Sequence, residues 1–223
     1  MLLGLSLKLF WRELKSGQLS IMFFALVLAV ATVSSISLFT DRLEKALLAE
    51  TQEFLGGDLK FESNDLIEDT PYEEIQKLNL KSTEMVLFAS MLASGDNLQL
   101  ASVKAVDQNY PLVGGVELRS ESKNIYVKRP PELGQVWLDL RLMDILKLEV
   151  GQTVSIGDAD FIVSHSILSE PDRASNSFAF APKAIINTLD LEKTNVVQPG
   201  SRVRFSTVYL GEKEELILAK NIL

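Results

Sequence analysis

The chain has 223 residues, 47% of them hydrophobic and 23% charged, with one histidine, no cysteine and a net charge of −8. It is too apolar for a disordered chain and long enough for one large or two small folded domains. Without cysteine there is no disulfide, thiolate-bound metal or thiol nucleophile; a lone His165 excludes multi-histidine metal sites, and the acidic balance argues against nucleic acid as a partner.

Charge is unevenly spread. Lys8, Arg12 and Lys15 stand against Glu13 near the start, and no charged residue follows until Asp41. From Leu19 to Thr40 only serine and threonine interrupt an apolar run, which as a helix is roughly 33 Å long, close to the thickness of a bilayer's hydrocarbon core. This predicts a transmembrane helix over 19–41. A cleaved signal peptide, cut near Ala29-Val30-Ala31, has a shorter apolar region, and the helical pattern of Leu38, Phe39, Leu43, Ala46 and Leu47 continues past that cut. A soluble core helix in a domain this small rarely runs so far without a charge. The basic flank places the N-terminus in the cytoplasm and the bulk of the chain outside the cell membrane.

Residues 1–18 place Lys8, Arg12 and Lys15 along one helical stripe, with Trp11 at headgroup level. That suits either a short amphipathic helix on the membrane surface or a flank that only sets topology. Ala25, Ala29, Thr32 and Ser35 permit close packing of the span against another helix. Beyond it, Leu43, Leu47 and Phe54 continue the helix as a stalk to Gly56-Gly57, a C-cap signal.

Leu59 and Phe61 alternate as a strand, and Thr70-Pro71-Tyr72-Glu73 opens a short helix reaching about Asn79. Lys81 to Ser94 and Leu98 to Val106 read as strands of a hairpin turning at Gly95-Asp96-Asn97. A composition shift at Tyr110–Gly115 suggests a second lobe. There Asp139–Leu148 predicts a helix, residues 150–168 two strands turning at Gly157-Asp158, and Pro182 to about Leu189 a helix. Ser201–Leu210 predicts a strand returning to the first lobe. Residues 212–223 predict a helix, and its lack of a stop signal suggests a chain that continues in the full protein. The fold class expected is α+β, a membrane helix and stalk followed by a two-lobed extracytoplasmic domain.

No P-loop, dinucleotide-binding loop, nucleophile elbow or paired-histidine metal motif occurs. His165 lies between Ser164 and Ser166, but neighbours on a strand point to opposite faces, so a serine–histidine pair is geometrically poor. Glu73-Glu74 and Glu214-Glu215 sit at helix starts, where carboxylates match the dipole. No catalytic, cofactor-binding or metal-binding residue is assigned, and an enzyme is not expected. Glu170-Pro171-Asp172-Arg173, a rigid proline among three charges, is the candidate subunit-contact loop or conformational anchor; a plain turn is the alternative.

The run FWRELKSGQLSIMFFALVLAVATVSSISLFTDRLEKAL, followed in order by LGGDLKFES, AVDQNYPLVGGVEL, GQVWLDLRLMDIL, LSEPDR and VQPGSRVRF, resembles the N-terminal part of FtsX-like ABC-transporter permeases of the YbbP type. The resemblance covers essentially the whole chain. It implies a MacB-like extracytoplasmic domain in which 42–107 and 200–223 form a porter-like lobe and 108–199 an inserted second lobe. It also implies a separate cytoplasmic ABC ATPase subunit, membrane lipid and a second permease copy as partners, no cofactor, and mechanical transmission to a lipid, lipoprotein or peptide cargo. The family's later membrane helices are missing here, so this chain alone is not expected to transport. A single-pass membrane-anchored binding or sensor domain is the alternative.

Overall fold

A computed structural model of the chain describes residue 12 and residues 17–64, 74–120, 123–172, 181–198 and 200–222. The contacts divide the chain into two compact units, Met1–Glu50 and Thr51–Leu223.

The dominant element of the first unit is helix α1, which runs uninterrupted over Gln18–Leu55, so that its residues 51–55 belong to the second unit. Ser20–Leu48 has a mean hydropathy of 2.4, and none of its most apolar stretch is buried. Ile21, Phe24, Leu28, Val33, Leu38 and Phe39 are all exposed. A helix apolar all round and covered by no protein is stable only in lipid. Its polar residues fit that solvent: the Thr32 and Thr40 hydroxyls donate to the carbonyls of Leu28 and Ile36 one turn back. The first charge pair, Asp41 with Lys45, closes at 2.9 Å past the apolar core of the span. The expectation of a membrane helix continuing as an unbroken stalk is met by this element.

The second unit is built on a ten-stranded sheet: β1 (Leu59–Ser63), β2 (Lys81–Ser94), β3 (Asn97–Val106), β4 (Val116–Ser120), β5 (Lys123–Val127), β6 (Gln135–Asp139), β7 (Thr153–Ile156), β8 (Ala159–Ser169), β9 (Lys183–Asn187) and β10 (Val203–Leu210). Helix α2 (Leu140–Leu146) follows β6, and α3 (Lys213–Ile222) follows β10. The strand order is β1-β10-β2-β3-β9-β6-β8-β4-β5, and β7 bridges β8 and β2. Strands drawn from 42–107 and 200–223 therefore occupy one end of this order and those from 108–199 the other, joined by the parallel β3–β9 pair and by β7 against β2.

Those pairings close a ring, β2-β3-β9-β6-β8-β7 and back to β2. Alternate residues of each strand point into it: Leu92, Val103, Ile186, Leu138, Phe161 and Val163 are all at most 1% exposed and share one cluster, which Leu142 and Leu146 of α2 join. A ring of this size is filled by its own side chains. A second cluster, including Met85, Tyr110, Trp137, Ile185 and Val208, covers the outer face of the same strands. A third seats α3 through Ala219 against Tyr209 and Ile75.

Both expected hairpins form, at Gly95-Asp96 and Gly157-Asp158. Asp139 caps α2, its carboxylate accepting from the Arg141 amide at 2.8 Å, and Lys147 ends the helix in the left-handed region at φ 54. The helix expected over Pro182–Leu189 is corrected: Lys183–Asn187 is strand β9, followed by a 3-10 turn over Thr188–Asp190. Strand β9 is buried on both faces, Ala184 and Ile186 inside the ring and Ile185 outside, so its apolar run has no alternation to distinguish it from a helix. Residues 74 and 75 are helical, but the expected start of that helix, Thr70 to Glu73, lies outside the described residues.

Candidate functional site

The chain leaves α1 through two glycines. Gly56 takes φ +77, a left-handed C-cap, and a β-carbon there would stand 2.8 Å from the Asp172 β-carbon. At Gly57 a β-carbon would collide with the Val208 side chain and the Tyr209 carbonyl. The Asp58 amide then donates to the Tyr209 carbonyl at 3.0 Å and starts β1 alongside β10. Side chains larger than hydrogen are thus excluded where the backbone comes down on the sheet.

Asp172 belongs to a buried polar cluster. Lys104, on the outer face of β3, places its ammonium 2.7 Å from a Glu170 oxygen and 2.9 Å from an Asp172 oxygen, with the three side chains 6%, 4% and 2% exposed. Lys183 of β9 pairs with the other Glu170 oxygen. The Tyr110 hydroxyl donates to Asp172 at 3.0 Å, and the Lys104 ammonium lies 5.6 Å from the centre of the Tyr110 ring. Two lysines therefore balance two carboxylates in an interior that would reject any one of them alone.

Burial alone would lower the Lys104 pKa, but Asp172 and then Glu170 outweigh it and hold the ammonium above its ordinary value. Burial and the neighbouring carboxylates Asp172 and Glu170 raise the Tyr110 phenol well above its ordinary range, so it remains a donor. Burial would also raise Glu170, yet Lys104 and Lys183 together bring it below the usual carboxylate value. At Asp172 burial outweighs the lowering effect of Lys104 and leaves the pKa raised, with Glu170 adding to the effect. Of the two acids, Asp172 is the one that accepts a proton first.

Within the sequence-predicted loop, Glu170, Pro171 and Asp172 are buried and the two acids bond inward; Arg173 lies outside the described residues. Asp172 adopts φ 57, a left-handed conformation that aspartate tolerates better than most residues. The partners of the two acids are Lys104 for both, Tyr110 for Asp172 and Lys183 for Glu170, none of which carries a motif in the sequence. The available signal is Lys104 itself, the one charge in the mostly apolar 101–106 stretch ASVKAV.

Ser164 and Ser166 donate to the backbone carbonyls of Val136 and Arg119 rather than to His165. The His165 ring stands edge-on to Trp137 at 6.3 Å, with its Nδ1 buried and unpartnered. Glu214 and Glu215 fall in the first turn of α3, as their spacing predicted, and Glu215 also accepts from the Asn79 amide.

No family model matches the sequence. Over 207 residues the chain is 39% identical to YbbP of Escherichia coli (strain K12), an uncharacterized ABC transporter permease. Over that stretch the chain is similar in sequence to an ABC-transporter permease. The match covers 93% of the chain but 25% of that relative, so the chain spans a quarter of the relative's length. Among solved structures, the extracellular domain of the noncanonic ABC-type transporter YknZ from Gram-positive bacteria aligns with 68% of this chain and 76% of its own, at 7% identity and a TM-score of 0.47. The periplasmic region of MacB from Actinobacillus actinomycetemcomitans aligns over 72% of each chain at 15% identity and a TM-score of 0.45.

Proposed function

We propose that this chain is the first membrane helix and extracytoplasmic domain of an ABC-transporter permease, and that it converts ATP hydrolysis by a separate cytoplasmic subunit into movement of that domain on a lipid, lipoprotein or peptide cargo. The observation that carries the reading is the 39% identity to a permease over 93% of the chain. The uninterrupted α1, with its basic N-terminal flank, supports a cytoplasmic start and a stiff connection outward. The close approach of Gly56 to Asp172, and the bonding of Asp172 to Lys104, support transmission of α1 movement into β3. Residues 42–107 with 200–223, and 108–199, would be the two lobes so moved, with membrane lipid and a second permease copy completing the assembly. Glu170, Pro171 and Asp172 act here as the anchor, and Arg173, next in the sequence, is assigned to a subunit contact.

This chain has no cysteine, so single cysteines placed in it, with any cysteine elsewhere in the full-length protein replaced, report on their own positions. In cells, full-length protein carrying Asn97→Cys should react with a membrane-impermeant maleimide while Ser16→Cys does not; the reverse pattern overturns the orientation. A fluorophore on Asn97→Cys in the purified complex with the ATPase should respond to nucleotide, and a Gly-Gly insertion after Ala46 should abolish the response. A response unchanged by the insertion defeats rigid coupling. A full-length protein that associates with no ATPase would instead be a single-pass binding or sensor protein.

A further inference from the structure

The sheet opens between β10 and β7. The first residue of β10, Val203, pairs with Phe88, and β7 joins the same edge of β2 only at Leu92. From Ala89 to Met91 that edge carries no strand. A groove of about 360 Å³ lies at this opening, lined by Arg202 and Arg204, the polar Asn64 and Ser102, and the apolar Leu87 and Phe88 among others. Ser102 reaches the groove because it stands across from Ala89 on β3.

The charge of this lining is unlike that of the chain. Net charge overall is −8, yet among the described residues the groove lining presents two guanidinium groups and no carboxylate. Glu62, on β1, is held by Lys60 at 2.6 Å and meets Arg204 only at 3.4 Å, so Lys60 already answers its charge. Arg202 is exposed and makes no ion pair among the described residues. Two planar donor forks at one side of a cleft suit a phosphate or carboxylate, which each can take in bidentate fashion. The apolar wall is of no use to a free inorganic anion but would shield the start of an alkyl chain.

We propose that this groove binds an anionic amphiphile, its phosphate or carboxylate held by Arg202 and Arg204 and the first part of its chain laid against Leu87 and Phe88. The site goes beyond the permease reading and requires no ATPase, so its failure leaves that reading untouched.

The test uses the full chain in phosphatidylcholine nanodiscs, with an environment-sensitive fluorophore on Asn64→Cys. It is titrated with decyl phosphate, inorganic phosphate and decanol, each below its micellar concentration. Decyl phosphate should shift the emission saturably, with inorganic phosphate and decanol each about tenfold weaker or more. Arg202→Gln with Arg204→Gln should weaken decyl phosphate by a similar factor, and Arg204→Lys by less, because the point charge remains. Both arginines are solvent-accessible, and an unchanged melting temperature checks that the fold is kept. A label on Asn97→Cys, away from the groove, should not respond. Equal binding of inorganic phosphate reduces the site to a simple anion site, and equal binding of decanol to an apolar surface; either overturns the proposal, as does an unchanged response in the glutamine variant.

Discussion

Gly56 and Asp172 approach so closely that a β-carbon on Gly56 would lie 2.8 Å from the β-carbon of Asp172. Both residues have positive φ, +77 and 57. Each backbone is thus held in a conformation that L side chains resist, at the point where α1 gives way to the sheet. Gly56→Ala adds a left-handed alanine and a carbon–carbon clash with a buried loop, and should destabilise the second unit by about 1–3 kcal/mol. Denaturant unfolding of the full chain, followed by Trp137 fluorescence, measures it. A loss below about 0.5 kcal/mol, the scale of an ordinary surface change, would show that the loop yields freely.

Lys104 is the shared partner of both acids. Lys104→Met removes the ammonium that both acids share and leaves Glu170 with Lys183, so the expected loss is about 3–5 kcal/mol, the cost of breaking a buried charge network from one side. The triple change Lys104→Met, Glu170→Gln, Asp172→Asn removes the three most deeply buried charges, leaving only the partly exposed Lys183, and should cost less than Lys104→Met alone. If instead the three losses simply add, the cluster is not acting as one unit.

Stability should fall at both extremes of pH. Glu170 is held below its ordinary 4.5, so its contribution is complete above 4.5 and is lost as pH falls through the lowered folded value. Lys104 is held above its ordinary 10.5, so its contribution is complete below 10.5 and is lost as pH rises through the raised value. Asp172 is raised above 3.8 and works against Glu170 on the acid side. Melting temperatures of the parent chain and Glu170→Gln, compared from pH 6 to 3, should converge as the medium becomes acidic. Parallel curves over that range would mean that Glu170 is not the titrating group.

His165 offers a direct electrostatic check, because it is the one histidine of the chain. Partial burial, and then the charge of Arg129, lower its pKa from 6.5, with Glu132 opposing. Its imidazole proton resonance should therefore titrate below 6.5, and Arg129→Gln should move the midpoint upward. A midpoint above 6.5 in the parent chain would contradict the placement of the ring beside Trp137.

Elements with a long repeat or a marked turn were legible in the sequence. The charge-free run gave away α1, and Gly95 and Gly157 marked the tight turns of the two hairpins. Strands β4, β5 and β6, five residues each, carry barely two periods of alternation and so little signal of their own. Strand β9 has the continuous apolar run of a helix because both of its faces are buried. Closure of the ring depends on Leu92 meeting Ile156, a pairing that no local pattern encodes. Of the candidate loop, the sequence showed the charges and the proline but not their partners. Glu170 and Lys104 are 66 residues apart, and nothing in either neighbourhood names the other.

The strand order also governs how the domain can assemble as it emerges N-terminus first. Strand β1 has a single neighbour, β10, and the two are separated by nearly the whole domain sequence. The β2–β3 hairpin can form early, but its ring stays open until β9 arrives, and β1 keeps two bare edges until β10 slides between it and β2. Long-range pairings of this kind form slowly and leave sticky edges exposed meanwhile. Newly made chains therefore pass through an interval in which a half-built sheet, joined to an apolar helix, must be kept from pairing with its neighbours.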